Sequence, residues 1–144
     1  MKWLSAAAVL VAAAMPGEAM ARDTRYLLPI QDVLTMPEAA GRLDQNFRFY
    51  FGNKKAGGGV NRGEVVANAK TNAANKSDEV ACRWAMLSAL VELQQKAKRV
   101  GADAVVGIES FYKKIPFVSD TEFECHAGAV MAGVALRGQA VKTH

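Results

Sequence analysis

Glu122, Glu124 and His126 stand at alternating positions and are the strongest candidates for chemistry in this 144-residue chain. Successive side chains of a β-strand point to opposite faces, so these three share one face while Phe123 and Cys125 share the other. Two carboxylates beside an imidazole could hold a divalent or heavy-metal ion. The plainer reading of the same alternation is a polar, solvated sheet face. The parity also separates Cys125 from His126, so the adjacent pair is badly placed for a Cys–His dyad, whose side chains must meet within hydrogen-bond reach.

Cys82 and Cys125 are the only cysteines. An even count in an exported chain reads as one disulfide. Such a bridge closes a loop of about 44 residues, and chain entropy then favours the fold by roughly 4 kcal/mol. A thiolate metal site built from Cys82, Cys125 and His126 is the alternative. It needs both sulfurs reduced and a fourth ligand, for which only the terminal His144 remains.

Other chemistries find less support. Gly52 and Gly57 have the spacing of a phosphate-binding loop, but Gly58 and Gly59 follow where Lys and Ser/Thr are required. Gly58/Gly63 and Gly128/Gly133 lead into Glu64-Val65 and Val134-Ala135, which cannot present the lysine either. No nucleophile-elbow pattern supports a Ser-His-Asp hydrolase. The expectation is a protein that is not an enzyme and carries no cofactor. Lys76-Ser77-Asp78-Glu79, with Cys82-Arg83-Trp84 just beyond, reads either as a partner-binding knob or as a helix cap followed by a buried Trp84. The formal net charge is +4, and the basic pairs Lys54-Lys55, Lys98-Arg99 and Lys113-Lys114 are dispersed among acids. That is solvated surface rather than the basic stripe of a nucleic-acid binder.

These residues need elements to position them. Thr24–Ile30 reads as a first strand, with Pro29 forcing an edge or an end. Met36–Ala40 starts a short helix, since Pro37 suits a first turn and Glu38 the helix dipole. Aromatic Phe47–Phe51 is a strand. Asn53–Asn61, with three consecutive glycines, reads as a hairpin tip leading to a third strand around Glu64–Ala69, and Asn68–Lys76 as a surface loop.

The long helix is the clearest element. Asn75 or Ser77 caps it, Asp78 and Glu79 fill its first turn, Lys96, Lys98 and Arg99 its last, and Gly101 stops it. Cys82, Met86, Leu90, Leu93, Ala97 and Val100 form one apolar stripe, so Cys82 faces the core, where a strand cysteine can reach it. Ala104–Tyr112 is a fourth strand. Thr121–Val141 is a last strand region that bends or breaks at Gly128 or Gly133. One long helix on a mainly antiparallel sheet of about five strands is an α+β fold.

The runs Asn75–Glu79, Ala81–Ala85, Gly101–Val106 and Thr121–Ala129 resemble small exported proteobacterial proteins that often carry the label excinuclease ATPase subunit, or excinuclease ABC ATPase. Neither a phosphate loop nor a set of zinc-finger cysteines accompanies that label here. More distantly, the helix followed by Gly-Ala-Asp-Ala-Val-Val-Gly-Ile and an Ala/Gly/Val-rich strand is similar to the heavy-metal-binding domain family of small α+β bacterial proteins. It is also similar to the outer-membrane lipoprotein that senses envelope stress for the Rcs phosphorelay. In that sensor a helix-to-strand disulfide matches the Cys82–Cys125 arrangement. This chain lacks the sensor's lipid-bearing cysteine and its second disulfide.

The first 21 residues predict the compartment. Met1-Lys2, the apolar run Trp3–Met15, the break at Pro16-Gly17-Glu18 and the small-x-small Ala19-Met20-Ala21 have the layout of a secretory signal cleaved after Ala21. The run is too short to span a bilayer. Residues 22–144 then form one α+β domain, periplasmic or secreted, with no membrane span or lipid anchor. The expected role is non-enzymatic: binding an envelope protein or itself, with envelope stress as the setting. Metal binding through Glu122, Glu124 and His126 is the alternative.

Overall fold

A computed structural model describes residues 22–54 and 56–143. The predicted signal segment 1–21, Lys55 and His144 lie outside the described residues. Six strands, two short helices and one long helix follow in the order β1 (Thr24–Pro29), α1 (Ile30–Leu34), α2 (Pro37–Ala40), β2 (Arg48–Phe51), β3 (Val60–Asn72), α3 (Asp78–Arg99), β4 (Ala104–Ser110), β5 (Glu122–Ala127) and β6 (Met131–Lys142). The class is α+β, as expected, with six strands rather than about five. The extra strand arises because the region Thr121–Val141 breaks at Gly128 into β5 and β6.

β6 is the centre of the sheet. β3 runs antiparallel along its whole length, from Val60 opposite Lys142 to Asn72 opposite Met131. A strand has only two edges, so β5 and β4 share the other one end to end. β5 pairs with Ala132 and Gly133, and β4 with the stretch from Leu136 to Val141. β1 pairs antiparallel with β5, and β2 pairs parallel with β4, so the order is β1-β5-β6-β4-β2 with β3 on the far side of β6.

Two expectations are corrected by this topology. The glycine-rich segment after β2 is not a hairpin tip, because β2 and β3 do not pair: β3 crosses to β6, and the outer place beside β4 falls to β2. Asn68–Asn72 is not a surface loop but the end of β3, paired to β6 through Ala135–Met131. Its polar side chains disguised it. Asn68, Lys70 and Asn72 are exposed on the outer face, while Val65, Ala67 and Ala69 are buried beneath them in alternation.

α3 forms for the reasons its sequence suggests. The Ser77 side chain accepts a hydrogen bond from the Val80 amide, Asp78 and Glu79 sit at the positive end of the helix dipole, and three basic residues sit at the negative end. Gly101 takes φ 78°, a left-handed conformation that ends a helix without a Cβ clash. Cys82, Met86, Leu90, Leu93 and Ala97 are fully buried against the sheet. Val100, expected in the same stripe, is 44% exposed because it has already left the helix as its C-cap. Trp84, expected to be buried, is only partly so, and its ring faces the Arg42 guanidinium at 5.2 Å. Among the described residues no helix is long and apolar enough to cross a membrane.

Candidate functional site

The disulfide comes first because it positions everything around β5. Cys82 of α3 and Cys125 of β5 are bonded, with their Cα atoms 5.8 Å apart, and both are fully buried. Strand parity does this: Phe123 and Cys125 point into the core, where the apolar stripe of α3 lies. A disulfide fits an oxidising compartment. With both sulfurs in the bridge, the thiolate metal site and the cysteine nucleophile have no free thiol.

The opposite face of β5 is not the solvated row that alternation suggests. Glu122 is exposed, but Glu124 is only 7% exposed and His126 is half-buried. The covering comes from β1 and from the 3-10 turn Tyr112–Lys114. The Tyr112 ring stacks on the His126 imidazole, with centroids 3.6 Å apart and planes within 9°. β1 then places a charge on each side of the imidazole, because its register sets Arg25 opposite His126 and Leu27 opposite Glu124. His126 Nδ1 lies 2.8 Å from Asp23 Oδ1 and Nε2 lies 2.8 Å from Glu124 Oε2. Arg25 Nε donates to that same Glu124 oxygen at 2.7 Å.

This arrangement sets the electrostatics. Burial pushes the Glu124 carboxyl up, but hydrogen bonds from Arg25 and His126 more than reverse that and hold it below its ordinary value. Burial raises the Tyr112 phenol, and the charges of Asp23 and Glu124 raise it further. Both imidazole nitrogens are engaged by carboxylates, so neither offers a free lone pair to a substrate or an ion. A metal on His126 must first displace Asp23 or Glu124. Among the described residues no three His, Cys, Asp or Glu side chains are grouped so as to hold a metal ion. Of the three residues predicted for that role, Glu124 and His126 meet. Glu122 does not join them; its amide is held by the Ser119 hydroxyl at the turn before β5.

Two clefts share the Tyr112–His126 wall. One, of about 340 Å³, runs past Arg25, Ile115, Pro116 and Phe117. The other, of about 640 Å³, opens toward Lys70 and the turn Gly128–Met131. Apolar tips stand at both: Ile115 is 67%, Val130 64% and Met131 45% exposed. Lys113 and Lys114, between them, both hold positive φ, at 52° and 62°. Two consecutive non-glycine residues in that region are strained, and strain of this kind concentrates where function fixes a conformation. Sequence reading missed Asp23, Arg25, Tyr112 and this turn. The basic pair Lys113-Lys114 was visible, but its backbone was not.

The Lys76–Trp84 cluster has a different role. Arg22 Nη2 donates to Asp78 Oδ1 at 2.9 Å and to the Gly128 carbonyl at 3.0 Å, and the Tyr26 hydroxyl donates to Asp78 Oδ2 at 2.7 Å. Asp78 thus ties β1 and the β5–β6 turn to the start of α3. Hydrogen bonds from Arg22, then from Tyr26, hold its carboxyl pKa at about 2. The unfolded-state value is higher, so this stabilisation is present above about pH 4 and is lost as pH falls toward 2. Acid titration of unfolding should show stability dropping through that window, and Asp78→Asn should flatten part of the slope. An unchanged slope in the variant would remove Asp78 from the account.

No protein-family model matches this chain, and no curated protein matches it.

Proposed function

We propose that the chain is an exported, non-enzymatic binding domain, stapled by Cys82–Cys125, that meets an envelope protein through the face around Tyr112 and His126. The observation that carries the reading is the pairing of exposed apolar tips with a locked polar centre. Ile115, Val130 and Met131 rim two clefts, while His126 between them has both nitrogens tied to carboxylates. Apolar contacts ringing a rigid aromatic wall suit a protein surface, where a few anchors supply most of the affinity. Catalysis would instead want an imidazole nitrogen free to take a proton. The envelope-stress setting rests on the resemblance of the helix and strand motifs.

Two measurements test it together. Intact mass of the periplasmic fraction after thiol alkylation should give a chain beginning at Arg22 that takes alkyl groups only after reduction. A photo-crosslinker placed at Ile115 in living cells should give one discrete adduct, absent from a control position such as Arg83 and weakened by Met131→Asp. A full-length cytoplasmic chain, or equal labelling at both positions, would overturn the reading.

A further inference from the structure

β3 is an edge strand of thirteen residues, and its outer edge is closed by two side chains of the helix rather than by another strand. Glu92 and Lys96 form an i,i+4 ion pair on α3, with Nζ 2.9 Å from Oε1. Glu92 Oε2 accepts from the Asn68 amide at 3.2 Å, and Lys96 Nζ donates to the Val66 carbonyl at 2.6 Å. Val66 and Asn68 are two apart, so their backbone groups point the same way, away from β6. A carbonyl at one position and an amide two residues on are the pair that a single residue of a parallel neighbouring strand engages. The helix therefore supplies a substitute for a strand at the middle of the edge.

Beneath that cover the edge is self-complementary. An antiparallel pairing of two copies about Ala67 sets Val66 opposite Asn68, with their outward amides and carbonyls facing as a hydrogen-bonded pair. The same register sets Glu64 of one copy opposite Lys70 of the other, twice. Both are exposed on the outer face, and neither has an ion-pair partner among the described residues. The two-fold symmetry requires no second surface.

We propose that the β3 edge is a latent strand-pairing site for a second copy of this chain, and that the Glu92–Lys96 pair keeps it shut. Exposed edges invite such pairing, and side-chain covers are one way to prevent it. The inference is independent of the Tyr112 face.

Sedimentation velocity over a concentration series compares the wild type with E92A/K96A and with the more conservative E92Q/K96Q. Both sites are partly exposed, so both variants should fold. Freeing two backbone groups for pairing should tighten self-association roughly ten- to a hundredfold. Adding E64K, which sets two positive charges against each other at Lys70 of the other copy, should abolish the gain, and E64K/K70E should restore it. Folded variants that associate no more than wild type would overturn the proposal. So would a gain that E64K leaves untouched, since the contact would then lie elsewhere.

Discussion

A C82A/C125A variant should be about 4 kcal/mol less stable than the wild type, the loop-closure value for a crosslink between residues 43 apart in sequence. The position of β5 makes the loss large in practice. β5 joins the central strand through only His126–Gly133 and Ala127–Ala132, and its other neighbour, β1, is itself an edge. The bridge to α3 is thus the main covalent restraint on that corner of the sheet. Urea unfolding should show a lower midpoint and a steeper slope, because the open chain exposes more surface once the crosslink is gone. A variant with an unchanged midpoint would mean that packing alone holds β5 in place.

Phe123→Ala should cost about 3–5 kcal/mol, the range for truncating a buried aromatic. Phe123 is the bulkiest of the fully buried side chains, and it meets Ile30, Met86, Ile108 and Leu136 where α1, α3, β4 and β6 converge. Those four elements cannot all close on the vacancy, so little of it should relax. The comparison with Glu122→Ala makes the test specific. Glu122 is the next residue but points out to solvent, and its truncation should change stability by less than about 0.5 kcal/mol. Similar losses at both sites would contradict the strand parity on which the disulfide also depends. Phe123 and Cys125 are close enough on one face that a combined variant should not be additive.

What could be read in the residues was local. α3 announced itself through its cap, its end charges and a 3.6-residue stripe, and all of these act within a few residues. Strand parity at 122–126 likewise needed no partner to place Phe123 and Cys125 inward. The errors came from pairing. Three glycines after Phe51 suggest a reversal, but nothing nearby encodes that β2 takes a parallel place beside β4 while β3 crosses to β6. The candidate site shows the same division. Glu124 and His126 stood out by spacing, whereas Asp23 and Arg25 reach them only through β1–β5 pairing across about a hundred positions. The burial of Glu124 follows from that pairing, so a row read as solvated became a covered network.

The strand that unites the sheet comes after every strand it joins. As the chain emerges from the ribosome, β3, β4 and β5 are complete before Met131–Lys142 exists to pair with any of them. Until then the long β3 has open backbone on both sides, save where α3 can already lay Glu92 and Lys96 along one of them. Long-range pairing of this kind is slow and leaves such intermediates open to aggregation. A chain released short of residue 131 has no centre on which to assemble, so quality control of this protein acts on its final dozen strand residues.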